Sequence, residues 1–279
     1  GALEIAARIP LRYGEPLHQI LGTEKSVEYL QWVFKSASQG LLNGKPRSLI
    51  QDEIKTELMR YFRSAHEELI EICIEHASLM IEVATAMRNS LLQIQRSGEA
   101  EYVTRAAKRA KDWESRADQL VARMRMLSRR VDEAESFFTL IHTADDALDE
   151  LEEAGFFATL LLLVKPQTTV IRQLTDMAEI SVRACQEYLK VLIAAQGIRK
   201  EYSRDEMQDF LTTVNRVLSL EHECDNALRL AEKAIITDST DFRELRVYFD
   251  LARTIEASTN SLMKSVFIMH DTILEGMNR

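Results

Sequence analysis

Two short acidic signatures stand at matching places in the chain, Trp113-Glu-Ser-Arg-Ala-Asp118 and Leu220-Glu-His-Glu-Cys-Asp225. In each, two carboxylates lie four residues apart, so on a helix they point the same way and repel by a few tenths of a kcal/mol. At about 100° per residue, Glu221 and Asp225 fall on the stripe that carries Val214, Leu218 and Leu228, with Val217 and Ile235 beside it. Glu114 and Asp118 likewise line up with Val103, Ala107 and Val121. Acids inside an apolar stripe are costly unless something offsets their charge.

A third acidic segment, His142-Thr-Ala-Asp-Asp-Ala-Leu-Asp-Glu-Leu-Glu-Glu153, supplies the partners. Asp145, Asp149 and Glu152 share a stripe with Phe138, Phe156 and Leu163, while Asp146, Glu150 and Glu153 turn toward solvent. Glu256 and Asn260 occupy the corresponding place near the C-terminus, where Ala252 replaces Asp145. If the acidic helices form hairpins, the acids face one another across the turn. Converging carboxylates either take up protons or bind a cation. Oxygen ligands suit Fe(III), Mn, Mg or Ca, and zinc less specifically. The residues therefore predict a carboxylate metal site from Glu114, Asp118, Asp145 and Asp149, and a leaner one from Glu221, Asp225 and Glu256. The competing reading is an acidic, solvated helix face without metal.

The elements that must position these residues are helices. Nine glycines and four prolines in 279 residues are too few for a sandwich, a barrel or an α/β protein. Periodicity and stop signals predict a helix from about Glu24 to Leu42 and a long one from a capping box at Ser48-Leu-Ile-Gln51 to about Gln95. Ser97-Gly98 breaks the chain, and a helix then runs to about Arg130. The next is capped by Asp132 with Glu135 and reaches Lys165; another opens at Pro166 and closes at Gly197. A capping box at Ser203-Arg-Asp-Glu206 starts the next, to about Ile236, and Asp238 to Asp241 starts the last. Displacing the chain by 107 residues lays Glu114 on Glu221, Asp118 on Asp225, Asp149 on Glu256, and Val103, Ala110 and Leu148 on Phe210, Val217 and Ile255. The expected architecture is all-α: an elongated antiparallel bundle of two three-helix repeats, 47–165 and 166–279, after an N-terminal helical extension, 1–46.

Composition narrows the function further. A net charge of −9 argues against nucleic acid as a partner. Three cysteines with no C-x-x-C pair suit a reducing compartment. The most apolar run, Phe156 to Val164, is too short to cross a bilayer, and no basic-then-apolar leader opens the sequence. The expectation is a cytoplasmic protein.

Two three-helix units, each pairing a Glu-x-x-x-Asp helix with an acidic helix, resemble the PhoU superfamily over about residues 55–279. Asp145-Asp-Ala-Leu-Asp149 is similar to the Asp-Asp-x-x-Asp core of its branch of PhoU-like Pit-accessory proteins. The resemblance implies a cytoplasmic, non-enzymatic regulator of phosphate transport that associates peripherally with a membrane transporter or its regulatory kinase and self-associates into a homo-oligomer. It also implies iron or zinc at the positions of Glu114, Asp118, Asp145, Asp149, Glu221 and Asp225. Ala252 and Asn260 depart from the pattern.

Other chemistries find less support. A di-iron oxidase needs paired Glu-x-x-His motifs, and Glu15–His18 is interrupted by Pro16. His142 stands near the acids but reads as a surface residue; His222 and His270 read as structural or exposed. No Gly-rich phosphate loop and no nucleophile–histidine set occurs. Arg105, Lys108, Arg109, Lys111, Arg123, Arg125, Arg129 and Arg130 form a basic stretch, either a solvated ion-paired face or a docking surface for a transporter loop, anionic lipid or phosphate. A metal-free helical scaffold is the alternative function class.

Overall fold

The computed structural model describes residues 16–21, 23–96, 100–128, 134–198 and 203–278. The described elements are helices: α1 (Leu17–Ile20), α2 (Thr23–Leu42), α3 (Arg47–Arg96), α4 (Ala100–Ser128), α5 (Ala134–Leu160), α6 (Thr168–Gly197), α7 (Arg204–Asp238) and α8 (Phe242–Asn278). No strand occurs among the described residues. The fold is an all-α elongated bundle, as expected.

Three local expectations change. The long helix begins at Arg47, so Ser48 lies inside its first turn and does not cap it; the Ile50 N–H donates instead to the Pro46 carbonyl. Pro46 fixes its own φ and so sets the entry one residue earlier. α5 ends at Leu160 in a single 3-10 turn, Leu161–Leu163, short of Lys165. Pro166 stands outside α6, whose N-cap is Gln167. The Ser203 box forms as read: the Glu206 N–H donates to Ser203 Oγ and the Ser203 N–H to Glu206 Oε2. Asp241 caps α8 by accepting from the Arg243 and Glu244 N–H groups. Pro10, Gly14, Gly22, Ser97, Gly98, Arg129, Arg130 and Asp132 lie outside the described residues.

α3, α4 and α5 each pack on the other two, and so do α6, α7 and α8. The two sets meet along α3 against α6 and α5 against α8, so one apolar core runs from Leu69 to Ile273. The buried positions repeat. A displacement of 101 residues carries Ile70, Cys73, Ala77, Ala84, Met87 and Leu91 of α3 onto Ile171, Leu174, Ala178, Cys185, Tyr188 and Leu192 of α6, all buried. The same displacement takes the end of α3, Arg96, to the end of α6, Gly197. The later helices keep the displacement of 107; the connection before α7 is three residues longer than that before α4, and α7 begins three residues earlier in the shared register.

The first third of α3 lies beyond this core. There it packs with α1 and α2 around a second apolar cluster, Leu21, Tyr29, Leu58 and Tyr61. Tyr29 meets Tyr61 edge-on, 5.6 Å between ring centroids, and its hydroxyl donates to the Ile54 carbonyl. Glu68 ties the hairpin to the bundle, accepting from Lys25 of α2 at 3.0 Å and from Arg123 of α4 at 2.8 Å.

Candidate metal centre

The first acidic cluster is built where α3, α4 and α5 meet. Glu114 and Asp118 come from adjacent turns of α4, Asp145 and Asp149 from adjacent turns of α5. All four predicted residues act on one another electrostatically. Asp149 is pushed up to about 7, first by burial and then by the charges of Asp145, Glu114 and Asp118, against the pull of Lys111. Asp118 is raised by burial and by Asp145 and Glu114. The acids of α4 and α5 thus lie close enough to raise one another's carboxyls, with Asp145 alone buried.

The junction is wetter than the sequence suggests. Asp145 is buried, 7% exposed, whereas Asp118 and Asp149 open to solvent and Glu114 is half-buried. Phe156 and Leu163, expected to close one end of the stripe, are exposed at 51% and 77%. α5 buries its Ala144, Leu148 and Leu151 face instead, and the acids sit at the margin of that face. Lys111, one turn before Glu114, pairs with it at 2.9 Å and approaches Glu152 at 3.9 Å, partly offsetting the negative field.

His76 is a partner that no spacing argument found. It is fully buried on α3, and its Nε2 lies 2.9 Å from Asp145 Oδ1. Its Nδ1 is buried without a hydrogen-bond partner. The available signal was positional: His76 stands in the apolar register of Leu69, Cys73 and Met80. His142, the histidine in the acidic segment, is exposed and stacks on Phe138.

The second cluster lies where α7 meets α8. Glu221 is buried, 7% exposed, and its carboxyl is raised by burial and by the charge of Asp225. Glu256 of α8 is raised by burial, by the charge of Asp225 and by a hydrogen bond shared with it; Asn260 donates to Glu256 and opposes this. His222 Nδ1 lies 2.9 Å from Glu221 Oε2, out of line for a hydrogen bond, and that oxygen has no hydrogen-bond partner. Glu221, His222 and Asp225 each bring one ligand atom within 4.8 Å of the others, a grouping of three not matched elsewhere among the described residues. The more compact donor set is therefore in the region expected to be leaner, and it includes a histidine assigned there to a structural or exposed role. Cys224, beside these acids, is buried, its thiol pushed up to about 12 chiefly by burial.

The two clusters differ in a correlated way. The register of α3 on α6 places Met177 where His76 stands, and the register of α5 on α8 places Ala252 where Asp145 stands. The buried imidazole and the carboxylate it contacts are replaced together.

These shifts set a pH dependence. An unfolded aspartate titrates near 4, so between about pH 4 and 7 the folded, metal-free protein keeps a proton on Asp149 that the unfolded chain has lost. The associated stability is complete below pH 4 and is lost as the pH rises to about 7. Water at the open side of Asp149 screens the effect to about 1 kcal/mol, about 2 °C in a protein of this size. Chelator-treated protein is expected to melt about 2 °C higher at pH 5 than at pH 8 in calorimetry. Asp118, Glu221 and Glu256 contribute with the same sign, and Asp149→Asn flattens the slope.

No protein-family model matches the sequence, and no curated protein matches it either. Among solved structures, the crystal structure of the phosphate transport system regulatory protein PhoU from Streptococcus pneumoniae matches with a TM-score of 0.50 at 13% identity. The match covers 75% of this chain and 96% of that one. The chain has a PhoU-like fold. No helix among the described residues is long and apolar enough to cross a membrane.

Proposed function

We propose that this protein is a non-enzymatic, cytoplasmic regulator of phosphate transport that binds metal at its two carboxylate clusters and docks on a membrane transporter or its regulatory kinase. The single observation that carries the reading is the charge of Asp145, Glu114 and Asp118 acting on Asp149 across two helices of a PhoU-like bundle. The residues fit a cation: the buried Glu221 Oε2 has no hydrogen-bond partner, Asp149 is pushed up to about 7, and the Glu256 carboxyl is raised by burial and by Asp225. Glu114, Asp118, Asp145 and Asp149 would hold one ion; Glu221, Asp225 and Glu256, with His222 beside them, would hold another. A bound iron or zinc ion, or Mg, Mn or Ca, supplies the counter-charge that lets the carboxylates ionise. The helices 47–165 and 166–279 form two three-helix repeats in this reading, with 1–46 as an extension, and the protein self-associates.

Elemental analysis of protein purified without chelator tests the reading. The expected result is bound metal that falls by about half in Glu114→Ala plus Asp118→Ala, if each cluster holds its own ion. Deleting the gene is expected to alter cellular phosphate uptake. One observation favours a second reading, a metal-free helical scaffold: Lys111 already pairs with Glu114 and lies near Glu152. Metal-free protein that still restores phosphate uptake would select the scaffold.

A further inference from the structure

Large apolar side chains are left exposed unusually densely on the α2–α3 hairpin. Val27, Leu30, Phe34 and Leu41 fall on one stripe of α2, and Leu42 and Leu49 flank the turn; Phe34 is 70% exposed and Leu42 86%. At 100° per residue this stripe is distinct from the face of α2 that buries Tyr29 against α3. The turn itself is firmly built. Gly44 adopts φ of 69°, and Gly40 lies so close to Ile50 that an added Cβ would sit 2.8 Å from Ile50 Cδ1.

Charge at this tip is one-sided. Between residues 35 and 51 the chain carries Lys35, Lys45 and Arg47 and no Asp or Glu, in a protein whose net charge is −9. On α2 the nearest acid below Lys35 is Glu28; on α3 the first is Asp52. Measured along the helices, the last ~10 Å of α2 and ~7 Å of α3 therefore carry cations and no acid. That depth matches the ~5–10 Å to which interfacial elements enter a bilayer surface. Lys45 pairs with Glu53 at 2.8 Å, leaving Lys35 and Arg47 as the tip's remaining cations.

We propose that the α2–α3 hairpin tip is a membrane-surface wedge that seats Phe34, Leu41, Leu42 and Leu49 at the level of anionic lipid headgroups, with Lys35 and Arg47 contacting them. Charge complementarity selects this occupant: an anionic surface satisfies the cations and the acyl boundary covers the leucines. The wedge is independent of the acidic clusters, which lie on other helices or beyond the second apolar cluster on α3.

Sedimentation of the full chain with vesicles tests it, comparing phosphatidylcholine alone with phosphatidylcholine containing phosphatidylglycerol. The expected result is binding to the anionic vesicles that weakens with salt, and about tenfold weaker binding for Leu41→Asp plus Leu42→Asp. Circular dichroism of that variant checks its fold. In a separate variant, Leu42→Trp, a blue shift of emission on adding anionic vesicles is expected. Unshifted emission, or undiminished binding by the Asp variant, overturns the proposal and moves any lipid contact to the basic stretch of α4. Lipid-independent self-association abolished by the same substitutions, with no vesicle binding, overturns it in favour of a second copy of the chain.

Discussion

His76→Ala is expected to destabilise the metal-free protein by about 3 kcal/mol. The ring is fully buried in the main core, so its removal leaves a void that the packed helices α3 and α5 fill only in part. The substitution also takes away the group 2.9 Å from Asp145 Oδ1, leaving a largely buried carboxylate beside Asp118 and Asp149. Asp145→Asn is expected to cost less, because an amide keeps an acceptor for His76 and removes one of the mutually repelling charges. Urea unfolding of His76→Ala, Asp145→Ala and the double variant measures the coupling directly, expected at about 1–2 kcal/mol. A coupling near zero would show that the imidazole serves the core by its volume alone.

The second large effect is metal loading. Protein stripped with chelator and then given Mn(II), Fe(II) or Zn(II) at about a thousand times the dissociation constant gains about 4 kcal/mol per site. For 279 residues this is a rise of about 7 °C in Tm. Binding releases the proton held on Asp149, so the rise is smaller at pH 5 than at pH 8. Combined replacement of Glu114, Asp118, Glu221 and Asp225 with alanine removes it. An equal rise in that variant would place the metal elsewhere, and no rise in the parent protein would leave the acids as a solvated face.

Much of this architecture is legible in the sequence because long helices advertise their ends. The Ser203–Glu206 box, the Asp241 cap and the stop at Gly197 are local chemistry, and they stand where the residues put them. Ser48 failed as a cap because Pro46, two residues earlier, already fixes the backbone that enters the helix. Periodicity put Glu114 and Asp118 on one line of α4 and Asp145 and Asp149 on one line of α5, and their charges do act across the hairpin. His76 stayed hidden because α3 is remote in sequence from the acidic helices, and no periodicity within one helix reveals what a third packs against it. Helical periodicity also gives direction but not depth. It placed Phe156 and Leu163 in line with the acids without showing that the stripe runs along the open edge of α5.

One helix runs from the hairpin tip into the main core. Ile50 at the tip, Tyr61 in the small cluster and His76 beside Asp145 all ride on α3, an unbroken 50-residue element. From Arg47 to His76 it spans about 44 Å, so each degree of tilt with its fulcrum at the imidazole swings the far end by about 0.8 Å. Any tilt of α3 about the buried imidazole would therefore be magnified at the hairpin turn.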